Sequence, residues 1–193
     1  MSALPKTFIP QSEYLELEKK AVRKSKYYKG GIFAIAEATK EHNKIVASII
    51  SAVGQHVSGK GCFYYPSDLR VHIPANTLYT YPDVTIVCGE AEFFDNSFDT
   101  LLNPTVIFEV LSTATEDYDR GTKFKLYRSI SSLQNYVLIS STEFAAEVYT
   151  RSNDQWILST AKDTTDQIYI SAIKCHLKMK DIYAQIEGFN ANP

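Results

Sequence analysis

Six residues, Val106-Ile-Phe-Glu-Val-Leu111, constrain this chain more than any other stretch. A short run so rich in β-branched and aromatic residues reads as a strand covered on both faces, which needs a sheet with layers above and below it. Alternation places Thr105, Ile107, Glu109 and Leu111 on one face and Val106, Phe108 and Val110 on the other. Neither face offers a polar stripe, so Glu109 has no comfortable place in a purely structural reading. Removing the partner of a buried charge costs roughly 3–5 kcal/mol. Glu109 is therefore neutral, paired or bound to a cation.

The rest of the chain supplies the layers. Residues 12–24 read as a helix capped by Ser12, with lysines and an arginine gathered at its C-terminal end. Tyr27 and Tyr28 lead through Lys29-Gly30-Gly31 into GIFAIAEA, a hairpin. Thr39 opens a strong helix to about His56, with Ile45, Val46, Ile49, Ile50 and Val53 spaced at three and four. CFYYPSDLRVHIP reads as one alternating strand and YPDVTIVCG as another short one, followed by a loop over residues 91–103. Thr113-x-x-Glu116 resembles a capping box before a helix to about Ser129. Further strands are expected over 135–140, 146–151 and 156–161, with a ragged stretch after them. The expectation is an α/β (α+β) chain, one domain spanning 1–193, with one mixed central β-sheet flanked by helices.

Several functions are set aside. The net charge of −2 gives no global case for nucleic acid, so any such case must be local. Cys62, Cys88 and Cys175 are distant and odd in number, with no Cys-x-x-Cys, so neither a zinc ribbon nor a disulfide framework is expected. The N-terminus lacks the apolar core of a signal peptide, and no stretch approaches the roughly 20 apolar residues that cross a bilayer. A cytoplasmic protein with no membrane partner is expected. GQHVSGKG, residues 54–61, fits the spacing of a phosphate-binding loop. It follows a helix, precedes a strand and has Gly61 where a hydroxyl belongs, so it reads as a helix C-cap. No histidine pair has metal-ligand spacing, and His42 reads as a packing or capping residue.

Three residues remain beside Glu109. Asp83 heads one short strand, and Asp119 and Lys123 lie four apart on the next helix. A solvent-facing strand start and a surface ion pair worth roughly 0.3–0.5 kcal/mol are the plain readings of these. If the two strands are neighbours, Asp83 and Glu109 converge into an oxygen-rich site suited to Mg²⁺, a hard cation. A lysine beside it can orient a water or stabilise charge on a phosphate.

Asp, Glu and Lys around a magnesium site is the arrangement of the PD-(D/E)XK nuclease superfamily, with Pro82-Asp83 as its "PD" and Glu109 as its second acid. More specifically, the chain resembles the bacterial Uma-two family of restriction-type endonucleases. The resemblance runs from about Tyr14 to Trp156, through YKGGIFAIAEATKEHN, YYPSDLRV, YPDVTIVCG, NPTVIFEVLSTATEDYDRGTKFKLYR and SLQNYVLI. It implies a restriction endonuclease-like fold and a magnesium-dependent endonuclease that hydrolyses DNA phosphodiester bonds, with Mn²⁺ as a substitute. Asp83 and Glu109 are the implied metal ligands and Lys123 the third catalytic residue, in a homodimer acting on DNA. A nucleic-acid-binding or assembly module that keeps the fold without the chemistry is the alternative.

Two departures stand out. Glu109-Val110-Leu111 has no lysine two residues on, and the resemblance implies that Lys123 in the following helix takes that role. Relatives often carry acids where this chain has Lys26 and Gly31. Finally, KKAVRKSKYYK, residues 19–29, holds six cationic residues. It reads either as a track for a phosphate backbone or as a solvated helix end.

Overall fold

The computed structural model describes residues 7–94 and 99–187. Helix α1 (Gln11–Lys20) leads into the hairpin β1 (Ser25–Tyr28) and β2 (Gly31–Ala34), then helix α2 (Lys40–Val57). Strands β3 (Cys62–Pro66), β4 (Arg70–Ile73), β5 (Leu78–Thr80), β6 (Val84–Cys88) and β7 (Thr100–Leu101) follow. Strand β8 (Val106–Leu111) runs into a helical segment made of α3 (Glu116–Tyr118), a π-helical turn (Asp119–Lys123) and α4 (Phe124–Tyr127). The chain closes with β9 (Asn135–Ser140), β10 (Ala146–Ser152), β11 (Gln155–Ala161), β12 (Gln167–Ile170), β13 (Cys175–Lys178) and α5 (Met179–Ile182).

The central sheet has six strands in the order β11-β10-β9-β8-β6-β3. It is mixed, as expected: β8 and β9 are parallel, and its other pairings are antiparallel. Two further sheets join it, a five-stranded one (β2-β1-β5-β4-β7) and the β12-β13 pair. All six residues of β8 are buried because both sheet faces are covered. Val106, Phe108 and Val110 pack with Ile45, Ile49 and Val53 of α2. Ile107 and Leu111 pack on the other side with Tyr127, Tyr136 and residues of β4 and β5. Burying one such side chain is worth about 1.5–3 kcal/mol, so β8 anchors both cores.

Local chemistry corrects several boundaries. The first helix is capped at Pro10, not Ser12, and stops at Lys20, leaving Val22 fully exposed beyond it. CFYYPSDLRVHIP is two strands, because a turn after Pro66 (Leu69 N to Pro66 O, 3.2 Å) sends β3 to the central sheet and β4 to the second. The Thr113 capping box does not form: the helical segment begins at Thr115 without a side-chain cap. Thr39 does cap α2, accepting from His42 N at 3.2 Å, and Gly59 and Gly61 take φ of +72° past its end, as a C-terminal turn requires. The ragged C-terminal stretch is β12, β13 and α5. Residues 95–98 of the 91–103 loop lie outside the described residues.

Cys62 and Cys88 form a disulfide, against expectation. They are 26 residues apart but face each other in the β3–β6 register, a fact that spacing alone does not reveal. Cys175 is free and buried.

Candidate active site

The β6–β8 register pairs Val84 with Phe108 and Thr85 with Ile107. Carried one residue further, it sets Asp83 across from Glu109. Opposed residues have Cβ atoms about 4.5–5.5 Å apart, so strand pairing alone brings the two carboxylates together. Asp83 Oδ2 accepts from the backbone N–H of Val110 at 2.7 Å, which fixes the carboxylate against β8. Asp83, Glu109 and Lys123 line one cleft of about 360 Å³.

Glu109 is 4% exposed, and its Oε1 accepts from Tyr127 Oη at 2.9 Å and lies 2.8 Å from Lys123 Nζ. Burial pushes its carboxyl up to about 8, with the Lys123 ammonium pulling the other way. Lys123 also reaches Asp119 at 3.0 Å. Burial opposes its charge, but Glu109 and Asp119 outweigh burial and hold its pKa above the ordinary lysine value. Burial favours the neutral Glu109 acid, whereas the Lys123 ammonium favours its carboxylate, so the two groups titrate as one pair.

The Asp119–Lys123 pair is therefore not the surface pair of the plain reading. Both residues are buried in the π-helical turn Asp119–Lys123, from which Lys123 reaches Glu109 of β8 and Asp119 reaches Lys123. Such turns recur at functional sites. Tyr136 Oη, itself buried, donates to Asp119 O at 3.1 Å and steadies the turn. Lys125, two residues on in α4, is exposed.

His42 is more than a packing residue. From the first turn of α2, its Nε2 lies 3.1 Å from Asp83 Oδ2, so the carboxylate's two fixed partners come from α2 and β8. A carboxylate accepts, so the ring proton is assigned to Nε2; Nδ1 is then a buried acceptor with no partner among the described residues. Only its closeness to the helix N-cap hinted at this in the sequence.

Lys26 lies in the same cleft. Its Nζ sits 4.0 Å from the centre of the Tyr118 ring. Gly31 begins β2 and is buried. Of the cationic run around Lys26, Lys19 pairs with Glu16, Arg23 with Glu37 and Lys24 with Asp68. Three of the six cations in the run are thus ion-paired.

Among the described residues, no three His, Cys, Asp or Glu side chains are grouped to hold a metal ion. Asp83 and Glu109 each engage one oxygen in hydrogen bonds, leaving Oδ1 and Oε2 for a ligand. Mg²⁺ is commonly held by one or two carboxylates completed by water and substrate phosphates, so this donor set fits Mg²⁺ and not an all-protein cage.

Two proteins of Synechocystis sp. (strain ATCC 27184 / PCC 6803 / Kazusa) are similar along most of their length. "Uncharacterized protein sll1609" is 34% identical over 164 residues, covering 84% of this chain and 93% of the relative. "Uncharacterized protein slr1290" is 33% identical over 172 residues, covering 89% of each. A crystal structure described as "a putative nuclease belonging to DUF820" from Anabaena variabilis ATCC 29413 superposes with a TM-score of 0.71 at 19% identity, covering 90% of this chain and 96% of that one. It shares the fold. The model of the Uma2 family, described as "Putative restriction endonuclease", matches residues 11–179, and the chain belongs to that family.

Proposed function

We propose that the chain is one domain that hydrolyses DNA phosphodiester bonds as a Mg²⁺-dependent endonuclease, acting in the cytoplasm as a homodimer. The observation that carries this reading is the meeting of Asp83, Glu109 and Lys123 in one cleft, with Glu109 buried inside a core strand. Asp83 and Glu109 are the residues that would hold the ion, and Mn²⁺ suits the same oxygens. A bound Mg²⁺ supplies Lewis-acid polarisation of a phosphoryl oxygen and of a water. Val110 N–H and His42 orient the Asp83 carboxylate, while Tyr127 Oη and Lys123 orient Glu109. Lys123, held at the floor of the site by two carboxylates, is placed to orient a water or to balance charge developing on the phosphate.

The homodimer follows from duplex cleavage, which needs two cuts, and two-fold pairing is the commonest solution for soluble oligomers. Light scattering should give twice 21.8 kDa at micromolar concentration; a single 21.8 kDa species argues against it.

The second reading, a DNA-binding or assembly module without cleavage, is favoured by one observation: a lysine, Lys26, stands in the cleft with Asp83 and Glu109, and among the described residues no three metal-ligating side chains are grouped there. Plasmid nicking in Mg²⁺ separates the two. Cleavage that disappears with EDTA and in Asp83→Ala supports the enzyme. DNA binding with no cleavage at any Mg²⁺ concentration supports the module.

A further inference from the structure

The cleft contains two uncommon lysines, and their surroundings differ. Lys123 is buried, and its ammonium is committed to Glu109 and Asp119 at 2.8 and 3.0 Å. An incoming phosphate would have to compete with both carboxylates for it. Lys26 is half-buried and has no ion pair among the described residues. Its nearest contacts among the described residues are aromatic, Tyr118 at 4.0 Å and Phe33 at 6.0 Å from the ring centres, with the Asp119 and Glu109 carboxylates attracting it from beyond ion-pair distance. Phe33 is its cross-strand partner in the β1–β2 hairpin, so the backbone of the hairpin fixes where Lys26 stands.

A cation on an aromatic face is held in place without being neutralised, because the ring offers a quadrupole and not a counter-charge. Burial, and after it the Lys123 ammonium, hold the Lys26 pKa below the ordinary lysine value. An anion arriving beside it relieves both penalties. Lys24, also in the cleft, is already matched by Asp68 at 2.7 Å. Lys26 is thus the cleft cation with unspent charge.

We propose that Lys26, seated on the Tyr118 ring, is the residue that binds the DNA phosphate in this cleft, and that Lys123 serves the carboxylates and the attacking water. This rests on the nuclease reading and divides between two lysines the duties assigned there to one. The same charge opposes a metal ion before substrate arrives and is neutralised once a phosphate sits on it. Metal and DNA should therefore enter the site with positive coupling.

The test is fluorescence anisotropy of a short labelled DNA duplex in EDTA, where cleavage plays no part. Wild type is compared with Lys26→Met, which keeps the aliphatic stem over Tyr118, with Lys26→Arg, and with Lys125→Ala as an exposed control. Lys26→Met should weaken binding about five- to tenfold and lower the salt-dependence slope by about one. Lys26→Arg and Lys125→Ala should stay within about twofold of wild type. Circular dichroism melting of each variant confirms folding. Equal binding by wild type and Lys26→Met overturns the inference. So does a wild type that binds no duplex in EDTA, and the Mg²⁺ cleavage assay then decides the nuclease reading separately.

Discussion

Glu109→Gln is the sharpest probe of how the site stores its charge. The carboxyl is raised from the ordinary 4.5 to about 8, chiefly by burial. The folded state therefore holds this proton more tightly than the unfolded chain does. Its stabilisation is complete below about pH 4.5 and is lost as pH rises through about 8. At about 1.4 kcal/mol per unit, the ceiling is about 5 kcal/mol. The pull of Lys123, 2.8 Å away, is already contained in that shift; local relaxation and water entering the cleft reduce the expected net to about 2 kcal/mol. For a chain of this length that is about 4–8 °C in Tm. Gln is isosteric, keeps an acceptor for Tyr127 Oη and cannot titrate. Thermal melts in EDTA from pH 5 to 8.5 should show wild type losing that much more Tm than Glu109→Gln, and the variant equalling or exceeding wild type at pH 8.5. Parallel curves would refute the reasoning, because Glu109 would then be ionised and fully compensated throughout.

Two further outcomes follow from the same geometry. Lys123→Met should abolish turnover and cost about 3 kcal/mol of stability, since it strands two buried carboxylates, whereas Lys125→Ala should change stability by less than about 0.5 kcal/mol; kinetics and denaturant melts check both, and equal losses would reduce the lysines to general phosphate attraction. Lys26→Glu should tighten Mn²⁺ binding in calorimetry at fixed ionic strength: at about 6 Å and an effective dielectric near 20, each charge on the ion is opposed by roughly 2–3 kcal/mol, and even the 1 kcal/mol left after solvent screening is about fivefold in affinity. Identical curves would place Lys26 outside the ion's reach.

What could be read from the sequence followed the strands. Period-two alternation fixed which way Glu109 faces and which residues share its side, and the β6–β8 pairing, posed from the sequence only as a condition, is the one that sets Asp83 opposite Glu109. Lys123 was legible by its place in the next helix, though not its burial. His42, Asp119 and Tyr127 were not read as parts of the site, because they reach it from helices. How a helix is rotated against a sheet depends on packing across the core, and the π-helical turn shifts the facing of 119–123 in a way a 3.6-residue period does not contain. The Cys62–Cys88 bridge was hidden for the same kind of reason, since it depends on register between strands that are not consecutive in the chain.

The central claim is that Asp83 and Glu109 hold one divalent ion between them. Calorimetric titration of Mn²⁺ into wild type, Asp83→Ala and Glu109→Ala at pH 7.5 tests it most directly, with melts confirming that each variant is folded. Wild type should bind one ion per chain, releasing protons as Glu109 ionises, and each substitution alone should abolish the signal. Mn²⁺ affinity unchanged in both variants would contradict the account.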